Sequence, residues 1–197
     1  GVTVEQETGA QTPFIKGLYY GVVIGNDDYS KAKGWGNLKT AVRGARSIIN
    51  ILKKQYGFIS IEVVINGTRQ EILDALKKVA LKVKKNDSVM IYYAGHGFFD
   101  QQMELGYWIP FDASGDTTFV SNSDIKDRVT AIAKNAKHTF LISDSCFSGA
   151  LLKRGEQVLD PNDQYYQKVA NRKSVQVLAA GKKYVDDNYR NSGHSPF

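Results

Sequence analysis

Five short apolar runs recur along the chain, and each ends in a polar or glycine-containing turn. Runs of this length, rich in Val, Ile and Tyr, are typical of strands buried within a sheet. They predict strands over residues 18–25, 61–65, 88–93, 138–142 and 174–179.

Between these runs, apolar residues recur at helical spacing. An amphipathic helix over residues 37–56, ended by Gly57, is predicted from Leu38, Ala41, Val42, Ala45, Ile48, Ile49 and Leu52. Thr68 and Glu71 have the spacing of a capping box, which predicts a helix that runs to about residue 84. Ser123 is the predicted cap of a third helix over residues 124–135.

The alternation of strand and helix predicts an α/β fold, with a mostly parallel central sheet and helices on both faces in three layers. Residues 97–106 are predicted to leave this sheet as a glycine- and acid-containing excursion. Residues 107–110 follow as a short edge segment, because Pro110 could not serve a central strand.

Composition narrows the class of protein. A length of 197 residues with 42% hydrophobic and 23% charged residues indicates one globular domain. The net charge of +6 comes from basic residues dispersed over helix-like segments, so solvated helix faces are predicted rather than a nucleic-acid partner. No apolar run approaches the roughly 18 residues needed to span a membrane, and no membrane partner is predicted. The single cysteine, Cys146, excludes an internal disulfide and fits a reducing compartment, with the cytoplasm favoured, or a reactive thiol.

The domain organisation is read from polar segments. Residues 1–16 are predicted to be an N-terminal arm and residues 17–197 a single domain. Residues 153–173 have no clear period and read as a long surface linker inside that domain. The chain begins with Gly1 and stops abruptly at Phe197, so a piece processed or excised from a longer protein is expected, with its C-terminal end truncated.

Chemically useful side chains follow several of the predicted strands. Asp27 and Asp28 come after the first strand, His96 lies between two glycines after the third, and Cys146 lies in the turn after the fourth. Ligands and reactive groups gather beyond the carboxyl ends of parallel strands. If the third and fourth strands are parallel neighbours, Cys146 and His96 emerge at the same edge of the sheet.

A cysteine beside a histidine can cleave peptide bonds, because the imidazole accepts the thiol proton and later donates it to the leaving amine. The backbone N–H groups of Gly97 and Cys146 are the candidate donors to the oxyanion. Taken singly, Cys146 could be a small buried apolar residue and His96 a loop histidine. Each of the two lies in a turn of small residues at the end of a predicted strand, which favours a catalytic role for the pair. His138 and His194 are weaker candidates for the base.

Two motifs carry a family resemblance. Residues 92–97, Tyr-Tyr-Ala-Gly-His-Gly, and residues 143–149, Ser-Asp-Ser-Cys-Phe-Ser-Gly, resemble the histidine and cysteine motifs of caspase-like cysteine peptidases, especially the bacterial and metacaspase-type branch. The spacing of 50 residues between His96 and Cys146 is similar to that of caspases. The resemblance extends over nearly the whole chain.

The resemblance implies a cysteine endopeptidase with His96 and Cys146 as its catalytic dyad. It implies that Asp144 lines the primary specificity pocket, so that a protein or peptide substrate is cut after Arg in preference to Lys. A carboxylate pairs well with a guanidinium, although Asp144 could instead cap the turn after it. Asp28 is a candidate second pocket acid, against a plain Asx turn.

The linker after the cysteine is cut during activation in caspases, so self-cleavage after Arg154 is expected, with Lys153, Arg172 and Lys173 as secondary candidates. Three features depart from the family pattern. Arg43 and Gly44 stand where metacaspase-like chains commonly have Asn-Asp, Phe147 replaces a frequent histidine, and the chain stops before a last helix.

No cofactor or metal is predicted, and calcium dependence is left open. A regulatory domain or partner protein would fit the resemblance. The competing functions are a caspase-like interaction scaffold that no longer cleaves, and an unrelated α/β hydrolase or transferase that uses the same thiol.

Overall fold

The computed structural model describes residues 17–145 and 173–179. Their strands are β1 (Tyr19–Gly25), β2 (Ser60–Ile65), β3 (Ser88–Ala94), β4 (Gly97–Asp100), β5 (Leu105–Trp108), β6 (Val120–Ser121), β7 (His138–Asp144) and β8 (Ser174–Ala179). Their helices are α1 (Ala41–Gln55), α2 (Arg69–Lys82) and α3 (Asn122–Asn135), with one turn of 3-10 helix at Asp116–Thr118.

Five strands form one parallel sheet in the order β2-β1-β3-β7-β8. The five strands predicted from the apolar runs are therefore confirmed, and β3 lies at the centre. The mostly parallel sheet of the predicted α/β fold is confirmed as well. The register pairs Ala94 at the end of β3 with Asp144 at the end of β7, so these two neighbouring strands end together.

Along the strands of this sheet, residues that face one side alternate with residues that face the other, and both sets are buried. Helices therefore cover both faces. On one face α2 and α3 pack over the larger core, to which β3 contributes Val89, Ile91 and Tyr93. On the other face α1 packs over a smaller core, which includes Tyr92 and Ala94 of the same strand. Consecutive residues of β3 thus face different layers.

Residues 97–106 leave the central sheet as predicted, but they enter a small antiparallel sheet instead of an irregular excursion, so the prediction without strands was wrong. Residues 97–106 contain β4 and the start of β5, which pair as a hairpin, and β6 adds a third strand in the order β4-β5-β6. The predicted edge segment is therefore the middle strand of this sheet. Pro110 does not interfere, because β5 ends at Trp108.

The predicted cap of α3 was also wrong by two residues. Ser121, not Ser123, caps the helix: its Oγ accepts a hydrogen bond from the Asp124 N–H at 3.1 Å, and the Asp124 carboxylate accepts one from the Ser121 N–H at 3.1 Å. The same carboxylate contacts Arg69 of α2 at 2.9 Å. Ser121 ends β6, so the chain passes directly from strand to helix. The capping box predicted at Thr68 and Glu71 is confirmed.

Helix α1 begins at Ala41 rather than at residue 37, because the preceding residues are held by the loop after β1. The Leu38 N–H donates to the Asp27 carbonyl oxygen at 2.8 Å. Thr40 gives the helix no side-chain cap, and the Asp27 carboxylate instead accepts from the Val42 N–H at 3.3 Å. An acid there compensates the helix dipole at an end without acids of its own.

The predicted N-terminal arm and the C-terminal end lie outside the described residues, as does all of the predicted linker over residues 153–173 except Lys173. Among the described helices, none is long and apolar enough to cross a bilayer.

The position of the α3 cap yields a direct test. Replacing Ser121 by Ala should lower the free energy of unfolding by about 1 kcal/mol, because a helix N–H loses its acceptor. The matched variant Ser123→Ala, at an exposed position in the first turn of the same helix, should change it by less than about 0.5 kcal/mol. Urea unfolding of both variants measures this difference, and equal losses would contradict the assignment of the cap.

Candidate active site

The strands that precede the two predicted reactive segments, β3 and β7, end side by side. Ala94 pairs with Asp144, His96 follows Ala94 by two residues, and Cys146 follows Asp144 by two residues. The condition set by the sequence, that these strands be parallel neighbours, is met. Cys146 itself lies outside the described residues, as do Lys153, Arg154 and His194.

Two tyrosine hydroxyls hold the backbone of His96. Its N–H donates to the Tyr29 hydroxyl at 2.8 Å, and its carbonyl oxygen accepts from the Tyr93 hydroxyl at 2.7 Å. The Ile109 N–H donates to the same carbonyl at 3.0 Å. Burial raises the pKa of both tyrosines, so their hydroxyls stay protonated at neutral pH. The peptide groups on both sides of the His96 side chain are therefore fixed by neutral donors and acceptors.

The imidazole ring of His96 is oriented by its own contacts. Nε2 lies 2.8 Å from the Gly36 carbonyl oxygen. A carbonyl can only accept, so Nε2 carries a proton, and in the neutral ring Nδ1 holds the lone pair. The rings of Tyr29 and Trp35 flank the imidazole, with centroids 4.6 and 5.2 Å away. This arrangement leaves Nδ1 as the nitrogen that can accept a proton.

The glycines on either side of His96 have different tasks. A Cβ atom at Gly95 would lie 2.8 Å from both the Tyr29 and the Tyr93 hydroxyl oxygens, so only glycine fits beneath them. Gly97 lies opposite Trp108 in the antiparallel pair of β4 and β5. The preceding residues, His96 and Ile109, are joined by a backbone hydrogen bond, and hydrogen-bonded pairs alternate with pairs that lack such bonds. Gly97 and Trp108 therefore form a pair without backbone hydrogen bonds to each other. The Gly97 N–H therefore points away from β5.

Asp144 is buried on the α1 side of the sheet, with 7% of its surface exposed. Its Oδ2 accepts a hydrogen bond from the Tyr92 hydroxyl at 3.4 Å, and its carbonyl oxygen accepts from the Gly95 N–H at 3.4 Å. Burial and then the negative charge of Asp144 raise the pKa of Tyr92, so the phenol stays neutral. The alternative role of Asp144, capping the turn after β7, involves residues beyond 145.

The opposite face of β7 carries its own polar contact. The Trp108 indole N–H donates to Ser143 Oγ at 2.9 Å, and Ser143 Oγ lies 3.1 Å from Ser145 Oγ. These three residues are buried, so they fix the last residues before Cys146 from the α2 and α3 side.

Asp28 forms an Asx turn. Its Oδ1 accepts from the Ser30 N–H at 2.9 Å, and its own N–H donates to Asn66 Oδ1 at 3.1 Å. The backbone bond from Ser30 is the main reason why the pKa of Asp28 is lowered. The plain Asx turn weighed in the sequence is therefore present, and a role for Asp28 in the pocket stays a prediction.

His138 lies at the other end of β7. Its Nδ1 is 2.9 Å from Ser174 Oγ, at the start of β8. Six residue steps of strand separate it from Asp144, about 20 Å. Among residues 17–145, His96 is therefore the histidine that lies next to the carboxyl ends of β3 and β7. Over the described ranges, no three His, Asp or Glu side chains group closely enough to hold a metal ion.

The family follows from comparison with known sequences. The family model of the caspase domain, peptidase C14, matches residues 20–191. The chain belongs to the caspase-domain family. Members of this family are cysteine peptidases, which are hydrolases.

Two similar proteins carry the name metacaspase-1, from two strains of Saccharomyces cerevisiae. Each is 23% identical over 166 residues, which cover 75% of this chain and 35% of the relative. This chain therefore spans about a third of their length. The crystal structure of protein GSU0716 from Geobacter sulfurreducens is similar in fold, with a TM-score of 0.52, 24% identity and coverage of 79% of this chain and 59% of that one.

The sequence singled out His96 as a candidate but gave no indication of the residues that hold it. Tyr29 and Tyr93 lie in segments that were assigned to a turn and a buried strand, and Trp35 and Gly36 lie in a loop without a regular period. Two tyrosines close to strand ends are the available signal, because a buried tyrosine needs a partner for its hydroxyl. The partner itself comes from tertiary structure.

Gly95 gives a test of how His96 is held. Replacing it by Ala should lower the free energy of unfolding by about 1 to 3 kcal/mol, since the methyl group overlaps two buried hydroxyls. Gly115→Ala is the matched control, because a Cβ there meets nothing within 4 Å. Chemical unfolding measures the stabilities, and NMR of the histidine ring reports whether His96 moves. A Gly95→Ala protein as stable as the control would contradict the tight packing.

Proposed function

We propose that this caspase-domain protein is a cysteine endopeptidase in which Cys146 and His96 form the dyad and cleavage follows Arg in preference to Lys. The observation that carries the proposal is the register of β3 and β7. Both strands end at the same level, two residues before His96 and two residues before Cys146, which supports a dyad of these two residues.

The reaction begins when the Cys146 thiol transfers its proton to Nδ1 of His96. The thiolate attacks the scissile carbonyl carbon, and the carbonyl π electrons move to oxygen. The tetrahedral intermediate collapses as the C–N bond breaks, and the imidazolium gives its proton to the leaving amine. Water then attacks the thioester, His96 accepts its proton and returns it to the sulfur, and the new carboxyl group is released.

The surroundings of His96 suit this cycle. The Gly36 carbonyl accepts from Nε2 and stabilises the positive charge when Nδ1 is protonated. The Tyr29 and Tyr93 hydroxyls hold the backbone, so little reorganisation is needed when the proton moves. The N–H of Gly97, which points away from β5, is a suitable donor to the oxyanion, together with that of Cys146.

Asp144 supplies the preference for basic residues. It is a carboxylate with 7% of its surface exposed, and it lies two residues before Cys146. A desolvated carboxylate pairs best with a cation, and the planar guanidinium of Arg forms stronger hydrogen bonds with it than an ammonium does. Asp28 is a second candidate acid for this pocket, although its Oδ1 is engaged by Ser30.

The pocket assignment is tested by Asp144→Ala. Loss of one partner of a desolvated charge pair costs about 2 to 5 kcal/mol, so kcat/KM for an Arg peptide should fall well over tenfold. Asp127→Ala, on the exposed face of α3, should leave it unchanged. A peptide library with the residue before the scissile bond varied gives the profile of each variant. Equal cleavage of Asp and Arg peptides by the wild type would overturn the assignment.

Self-cleavage in the segment after Cys146 is a second prediction. Lys153 and Arg154 follow the nucleophile within eight residues, and Arg172 and Lys173 immediately precede β8. We expect the wild type to be cut after Arg154 first, and Cys146→Ala to stay intact and inactive on peptides. Intact-protein mass spectrometry locates the cut. An uncut wild type that still turns over an Arg peptide would show that processing is unnecessary, and a folded but inactive wild type would favour the silent interaction domain.

A further inference from the structure

We infer that the Tyr92 hydroxyl is a specificity-determining group of this pocket: it gives the guanidinium of a substrate Arg a second acceptor beside Asp144, in the space left open by Gly44. This inference rests on the proposed function and deepens it. It predicts a stronger preference for Arg over Lys than the Asp144 carboxylate alone would give.

The first observation is the placement of Tyr92. It lies on β3 two residues before Ala94, so its side chain is on the same face of the sheet as Asp144, towards α1. Its hydroxyl and Asp144 Oδ2 are 3.4 Å apart. Each residue keeps 7% of its surface exposed. The two oxygens therefore form one polar site.

The second observation concerns α1, which faces this site through a glycine. A Cβ atom at Gly44 would lie 3.5 Å from the Tyr92 hydroxyl, and outside α1 itself no other atom of the described residues would lie within 4 Å of it. Glycine inside a helix lowers the stability of the helix by about 1 kcal/mol relative to alanine. Helix stability therefore does not explain why residue 44 is a glycine. Gly44 is half-buried, and its missing side chain leaves room directly above the phenol oxygen.

The third step is the chemistry of the phenol. A tyrosine hydroxyl has one proton and two lone pairs. Its proton is directed at Asp144, so the lone pairs are available to an N–H group that enters over Gly44. A guanidinium presents several N–H groups in one fixed plane and can bond to both oxygens, whereas the three N–H groups of an ammonium rotate freely and can turn to other acceptors when one is missing. The phenol should therefore strengthen Arg binding more than Lys binding.

The test compares Tyr92→Phe with Tyr20→Phe, a buried tyrosine of the neighbouring strand on the other face of the sheet. For each variant, thermal unfolding is measured together with kcat/KM for two peptides that differ only in having Arg or Lys before the scissile bond. Loss of one hydrogen bond from the charged guanidinium is expected to lower kcat/KM for Arg about tenfold or more, mainly through KM, and that for Lys less than twofold. Tyr20→Phe should leave the ratio of the two unchanged.

Gly44→Ala provides a second variant that leaves both pocket oxygens in place. Its methyl group narrows the space over Tyr92 and favours the helix, so the protein should be at least as stable while the Arg to Lys ratio falls. Equal losses for Arg and Lys in Tyr92→Phe would show a purely structural role and overturn the inference, as would an unchanged ratio in both variants. A wild type that does not cleave Arg peptides would instead overturn the proposed function.

Discussion

The parallel pairing of β3 with β7 is the constraint on which the site depends. Seven consecutive residues of each strand pair in register, from Ser88 with His138 to Ala94 with Asp144. A shift by one residue would turn every side chain of β7 to the other face of the sheet. Asp144 would then leave Tyr92, and Ser143 would leave the Trp108 indole. The burial of both faces makes such a shift costly, so packing of the core also positions the chemistry.

The two faces of this strand pair divide the work. On the α2 and α3 side, Tyr93 stacks on Trp108 with centroids 4.3 Å apart, and its hydroxyl reaches the His96 carbonyl. On the α1 side, Tyr92 contacts Asp144. Adjacent tyrosines of one strand thus serve the proposed base and the proposed pocket separately. A substitution in the pocket can therefore change the preferred substrate residue without moving the histidine.

Much of the fold could be predicted because its signals are local. Each strand of the parallel sheet is a short, mostly apolar run, and the capping box at Thr68 and Glu71 has a fixed spacing. The hairpin after His96 was missed because β4 and β5 are only four residues each, and apolar and polar residues do not alternate along either sequence. The cap of α3 was misplaced because two serines compete, and only the end of β6 decides between them. The contacts of His96 with Tyr29 and Gly36 join residues 60 or more apart in sequence, and no local pattern encodes them.

Active-site labelling tests the central claim most directly. The protein is treated with a peptide that ends in an Arg chloromethyl ketone, and the modified residue is located by mass spectrometry. The dyad and pocket predict one adduct per chain, on Cys146, formed much faster than with a Lys or Asp ketone and lost in His96→Ala. An adduct elsewhere, or labelling of Cys146 at the same rate by all three ketones and in His96→Ala, would contradict the account.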